Sequence, residues 1–328
     1  MTHARVARIE RIGGPEVIAW VDVELPPPGP GEVRMRNTAV GLNFIDVYFR
    51  TGLYPVPLPS GLGGEAAGVI EAVGEGVDLA VGERVATFGP ALGAYATARN
   101  VKANTLFKLP DDISDETAAA AMLKGGTAEF LIERCAKVEP GMTVLVHAAA
   151  GGVGQIAVRW LKAIGAQVIA TVGSEAKVAL AQGAGADHVL LSRSDDIAAR
   201  VREITGGVGV DVVFDGVGKA TWKASLASTK RRGLIVSFGN ASGPVDGVAL
   251  GELARAGSLF VSRPTMFDYY VTAEERAAGS ARLFAMLRSG AVRADIGQRF
   301  ALEDAADAHR ALEAGQTMGS TVLVPQAA

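Results

Sequence analysis

Short runs of β-branched residues, broken repeatedly by glycine and proline, fill the first third of the chain. Residues 17–23, 32–39 and 67–73 read as strands. Turn signals separate them, first Pro26-Pro27-Pro28-Gly29-Pro30-Gly31, then 74–76, then Val81-Gly82-Glu83. Closely spaced strands with such turns predict a barrel-like or sandwich domain. The period changes near Ser114, a candidate N-cap that opens an alanine-rich helix.

From about residue 139 strand and helix alternate. Residues 143–147 form an apolar strand, and 153–164 a helix ended by Gly165. Further strands are expected at 168–172, His188–Leu191, Val210–Asp215, 234–238 and 259–262. This alternation implies parallel βαβ units, hence an α/β fold with a Rossmann-type, doubly wound parallel sheet. Two amphipathic helices, 274–289 and 303–314, precede a last strand at Ser320–Val324. The expected division is a β-rich domain from 1–124 and 266–328, and a dinucleotide-binding domain from 125–265.

The turn Ala148-Ala149-Ala150-Gly151-Gly152-Val153-Gly154 follows the strand 143–147 and opens the next helix. A dinucleotide pyrophosphate binds at such a place, on backbone amides at a helix N-terminus. Gly151 and Gly152 let the backbone approach the phosphates, and Gly154 lets the helix lie against the sheet. The first glycine of the usual motif is Ala149 here. NAD-binding chains usually carry an acid at the end of the second strand. This one reads Gly173-Ser174-Glu175-Ala176-Lys177, with no acid at the strand end itself. Ser174 and Lys177, with Arg193 after the next strand, suit a 2′-phosphate, so NADPH is the expected cofactor. Glu175 would serve NADH if its side chain turned inward.

Bulk composition narrows the classes. Charged residues are 20% and hydrophobic residues 49% of the 328, a globular balance. The net charge of -3 lacks the basic footprint of a nucleic-acid binder; Lys230-Arg231-Arg232 is read as a solvated turn. The single Cys135 excludes an intrachain disulfide, and no stretch has membrane-spanning length, so a cytoplasmic protein is expected. Four histidines and one cysteine, without ligand spacing, predict no metal site. His147 is expected to pack or to lie near the cofactor.

Together these motifs resemble the zeta-crystallin-like NADPH:quinone oxidoreductases of the medium-chain dehydrogenase/reductase superfamily. The similarity runs over essentially the whole chain. Its most specific pieces are Val40-Gly41-Leu42-Asn43-Phe44-Ile45-Asp46-Val47-Tyr48, Arg50-Thr51-Gly52-Leu53-Tyr54-Pro55, Leu62-Gly63-Gly64-Glu65-Ala66-Ala67-Gly68-Val69, Leu123-Lys124-Gly125 and Arg231-Arg232-Gly233-Leu234-Ile235-Val236-Ser237-Phe238-Gly239-Asn240. The resemblance implies a GroES-like catalytic domain beside the Rossmann domain. It places Asn43 and Thr127 near the nicotinamide, Gly152 and Val153 at the pyrophosphate, and Gly173, Ser174 and Lys177 at the adenosine ribose phosphate. It puts Phe238, Gly239 and Asn240 on the nicotinamide side, with Arg263 and Gly319 as further contacts. Zinc-dependent relatives carry cysteine at the position of Asn43 and histidine at that of Gly64. Two departures are Ser192, where close relatives have tyrosine, and Gly216, where serine is frequent and the change is expected to matter less.

The implied activity is metal-free transfer of hydride, or of electrons, from NADPH to a quinone. Asn43 would orient the nicotinamide, and Tyr48 and Tyr54 would shape the substrate position and donate a hydrogen bond to the reduced oxygen. The alternatives are reduction of an enone or 2-alkenal, which needs a firmer proton donor, and a NADPH-binding protein that is non-catalytic or meets RNA. A homodimer is expected, paired through the edge strand 259–262.

Overall fold

The computed structural model describes residues 2–89 and 91–326. The chain divides into two compact units, Met1–Leu123 with Ala294–Ala328, and Lys124–Arg293. The expectation had assigned 266–293 to the first unit, whereas here it falls in the second. The reason is local packing. Tyr270 donates to Glu129 Oε2 at 2.8 Å, the Arg134 guanidinium lies 4.6 Å from the Tyr270 ring centroid, and Leu283 lies against Gly125, where an added Cβ would come within 2.5 Å.

The first unit is β-rich. A seven-stranded sheet runs in the order Ile296–Ala301, Ser320–Val324, Glu32–Leu42, Glu65–Val73, Arg84–Phe88 and Leu106–Lys108, with Ala98–Lys102 also pairing Glu32–Leu42. A small sheet joins Ala19–Leu25, Thr2–Ile9 and Ser60–Gly61. Its core gathers Ile9, Met35, Leu62, Ile70 and Tyr95, all 0–1% exposed. The pattern of apolar runs does not announce Thr2–Ile9, because exposed Arg5 and Arg8 stand three apart among buried Ala4, Ala7 and Ile9 and break the regular alternation.

The second unit is a six-stranded sheet in which every pair is parallel. Its order is His188–Leu191, Gln167–Val172, Thr143–Val146, Val210–Asp215, Thr229–Ser237 and Phe260–Ser262. The first strand in sequence sits inside and the order reverses beside it, the switch point at which doubly wound sheets bind ligands. Ile169, Val213 and Ile235 fill the core. The strand expected at 234–238 begins earlier, at Thr229, so Lys230, Arg231 and Arg232 belong to it and not to a turn. Arg232 has φ 60°, a register shift falls in the partner strand between Val210 and Val212, and Lys230 pairs with Asp211.

Candidate dinucleotide and hydride-transfer site

In the second unit the strand Thr143–Val146 leads through His147–Ala150 into the helix Gly152–Ala163. Ala148 takes φ 53°, which bends the chain back so that its carbonyl accepts from Gly151 N at 3.0 Å. Gly151 is the N-cap and gives no side-chain cap, so the first-turn amides of Gly152 and Val153 are left for an anion. Gly154 is fixed by packing: a Cβ there would stand 2.4 Å from the Ala148 oxygen. Gln155, which motif reading missed, is buried and donates to the Ala150 carbonyl at 3.0 Å, bracing the turn.

Gly173 follows the strand Gln167–Val172, and a Cβ there would meet nothing within 4 Å. Ser174 and Glu175 are exposed and Lys177 is half-buried in the next turn. Arg193 follows His188–Leu191, which pairs in parallel register with Gln167–Val172, so both segments lie on the same edge of the sheet. The Lys177 ammonium is pushed below its usual range by burial first and by Arg193 second. Two cations repelling each other beside a glycine turn fit a bound phosphate, whose charge relieves both.

At the far side of the switch point, Phe238 N donates to the Asp215 carbonyl at 2.9 Å. A Cβ on Gly239 would lie 2.3 Å from the Gly216 oxygen, and one on Gly216 only 2.8 Å from the Phe238 ring. A serine at Gly216 would need the tip of the Phe238 ring to shift. Arg263 Nη1 donates to the Ser237 carbonyl at 2.7 Å. The Asn240 amide, oriented with its nitrogen toward the Gly239 carbonyl (3.0 Å), accepts from Arg263 Nη2 at 3.0 Å. Arg263 thus shapes the 237–240 segment. Thr127, half-buried on the helix Asp115–Glu129, lies 3.7 Å from Met266 Sδ.

A buried polar chain underlies these loops. His147 is 2% exposed, with Nδ1 3.0 Å from Thr171 Oγ1 and Nε2 3.1 Å from Ser225 Oγ. Ser225 gives its proton to Asp215 Oδ2 at 2.7 Å, so it accepts from His147 Nε2–H, and Nδ1 accepts from Thr171. Burial lowers the His147 pKa, partly offset by Asp215. Asp215 also takes the amides of Val217 and Gly218, each at 2.9 Å. The chain ties together the carboxyl ends of three strands. Its members stand far apart in sequence, so no motif marks them.

In the first unit Asn43 caps the helix Phe44–Thr51 and is 6% exposed. Its N–H donates to Asp46 Oδ2 (3.0 Å) and its Nδ2 to Glu65 Oε2 (2.8 Å), while Glu65 Oε1 accepts from Leu123 N (2.6 Å). Glu65 comes close because residue 41 is glycine; a Cβ there would be 2.2 Å from Oε2. Gly319 precedes Ser320–Val324, whose Thr321 pairs with Leu42, so it lies near Asn43. Tyr48 is buried and Tyr54 half-buried, their rings 5.1 Å apart at 60°.

Two family models match, "Zinc-binding dehydrogenase" over residues 152–285 and "Alcohol dehydrogenase GroES-like domain" over 29–111. The residues present do not fit a zinc ion. Asn43 is an amide held by Glu65, and among the described residues no three His, Cys, Asp or Glu side chains gather to hold a metal. The chain is 50% identical to a quinone oxidoreductase of Salmonella typhimurium over 317 residues, 95% of this chain and 97% of that one. It is 45% identical to a 2-haloacrylate reductase of a Burkholderia species, over 98% and 99% of the two chains. The solved Escherichia coli quinone oxidoreductase complexed with NADPH superposes with a TM-score of 0.96 at 46% identity, covering 98% of this chain and all of that one. The chain belongs to the quinone oxidoreductase family of the medium-chain dehydrogenase/reductase superfamily.

Proposed function

We propose that this protein is an NADPH-dependent quinone reductase that works without a metal. The observation that carries the reading is the pair Lys177 and Arg193 at one sheet edge, with no acid closing the strand Gln167–Val172. NADPH, when bound, supplies the hydride. Gly151, Gly152, Val153 and Gly154 would hold its pyrophosphate through backbone amides, and Gly173, Ser174, Lys177 and Arg193 its ribose phosphate. Thr127, Phe238, Gly239 and Asn240, with Arg263 behind them, would serve the nicotinamide end in the second unit. Asn43 and Gly319 would do so in the first. Glu65 fixes the Asn43 amide, so Asn43 orients and does not move a proton. Tyr48 and Tyr54 are assigned the hydrogen bond to the quinone oxygen, where developing charge needs only modest stabilisation.

Similarity to a 2-haloacrylate reductase favours, as a second reading, reduction of an activated alkene at the same residues. Oxidation of NADPH measured across ortho-quinones, para-quinones and alkenals, with and without chelator, separates the two. Quinone turnover indifferent to chelator is expected. Turnover of alkenals alone, or loss with chelator, would overturn the assignment.

The strand Phe260–Ser262 ends the six-stranded sheet with Phe260 63% exposed, and a second copy pairing there would cover its backbone and both apolar side chains. A homodimer is the proposed assembly, checked by light scattering on the wild type and on Val261→Pro. The single Cys135 suits a reducing compartment, and the cytoplasm is the proposed location.

A further inference from the structure

Buried arginines in this molecule generally have acceptors. Arg50, fully enclosed, holds His309 and Glu313, and buried Arg159 donates to Gln155 Oε1 at 3.3 Å. Arg99, on the strand Ala98–Lys102 of the first unit, differs. It is 9% exposed, its Nε is enclosed without an acceptor, and among the described residues no hydrogen bond or ion pair holds it. Burial alone drives its pKa down to about 10. A guanidinium this buried, with no acceptor for its Nε, is costly unless something supplies one.

The residue lines a cavity of about 410 Å³, within the size range of small-molecule sites. Val6, Ala7, Leu92 and Val101 form apolar walls. Gly93 stands beside the guanidinium, where an added Cβ would come to 4.0 Å from Nη1. Arg8 and Lys102 add two more cations to the lining. Its one carboxylate, Glu32, is already held by Lys102 at 3.0 Å and by the Gly29 amide at 3.1 Å. Arg8 is likewise held by Glu10 at 3.0 Å, so among the described residues Arg99 is the cation of the lining left without a carboxylate, next to apolar surface.

We propose that this cavity is a second ligand site that takes a small organic acid, its oxyanion head on Arg99 and its apolar body along Val6, Leu92 and Val101. None of these residues belongs to the dinucleotide or hydride-transfer machinery, so the proposal stands or falls separately from the quinone reductase reading.

Calorimetric titration with inorganic phosphate, octanoate and octyl phosphate tests it on the wild-type protein and on Arg99→Met. The variant keeps the length of the stem and removes the enclosed charge, so its thermal midpoint should equal or exceed that of the wild type. One of the octyl acids should bind the wild type at least about tenfold more tightly than phosphate, and Arg99→Met should lose at least about tenfold in that affinity. Quinone turnover should be unchanged. Tighter binding of octanoate assigns a carboxylic acid, and tighter binding of octyl phosphate a phosphoryl one. Equal binding by wild type and variant, or no binding of either octyl acid to the wild type, overturns the proposal. Should Arg99→Met not fold, a wild-type crystal grown with the tighter acid decides. Density for the head within hydrogen-bond distance of Arg99 supports the site, and its absence there refutes it.

Discussion

Arg50 Nη1 lies 3.2 Å from Nδ1 of His309, both side chains buried. A guanidinium can only donate, so Nδ1 accepts and the imidazole proton sits on Nε2. Nε2 faces Tyr95 Oη at 3.1 Å, and Tyr95 donates in turn to Asp46 Oδ2 at 2.9 Å. Asp46 also receives the N–H of Asn43. The contact therefore begins a chain of donors that runs from Arg50 through His309 and Tyr95 to Asp46, where it meets the N–H of Asn43 donated from the other side.

This chain predicts acid sensitivity. Burial first, and Arg50 second, lower the His309 pKa from 6.5 to about 3. The unfolded chain binds this proton near 6.5 and the folded chain only near 3. Stability from His309 is thus complete above 6.5 and is lost as pH falls toward 3, about 2 kcal/mol of it by pH ~5. His147, also lowered, acts with the same sign. His309→Gln should lower the melting temperature near neutrality and flatten its decline on the acid side. An unaltered acid slope in thermal melts at a series of pH values would refute the assignment.

Gly154→Ala forces a Cβ to 2.4 Å from the Ala148 carbonyl, which is backbone and yields little. A loss of about 1–3 kcal/mol in stability is expected. NADPH affinity should fall as the turn is displaced, read by nicotinamide fluorescence. Unchanged affinity with lowered stability would separate the turn from the cofactor.

Tyr54→Phe keeps the ring contact with Tyr48 and removes the hydroxyl. Loss of one hydrogen bond of about 1 kcal/mol predicts a roughly fivefold lower kcat with quinone, and an unchanged KM for NADPH. A kcat equal to wild type would make Tyr54 a packing residue only.

What the sequence made legible follows a physical line. The parallel sheet was readable because its strands are continuous apolar runs such as Val144-Leu145-Val146, buried on both faces. The glycine turn was readable because a strand-to-helix turn this tight leaves no room for a Cβ at Gly154. Thr2–Ile9 escaped because its exposed Arg5 and Arg8 stand three apart and break the alternation of a half-buried strand. The segment 266–293 was misassigned because Tyr270–Glu129 and Leu283–Gly125 are long-range contacts that local pattern does not encode. The same holds for His147–Ser225–Asp215 and for Arg50–His309, in which ordinary polar residues become meaningful only through partners remote in the chain.

The central claim is that Lys177, with Arg193, grips the extra phosphate of NADPH. The direct measurement is the ratio of kcat/KM for NADPH to that for NADH, in wild type and in Lys177→Ala. The account predicts a wild-type ratio of at least about ten, and a fall of roughly 10–100-fold in the variant carried by the KM for NADPH, with NADH little changed. A wild-type ratio at or below unity, or NADPH affinity left intact by Lys177→Ala, would contradict it.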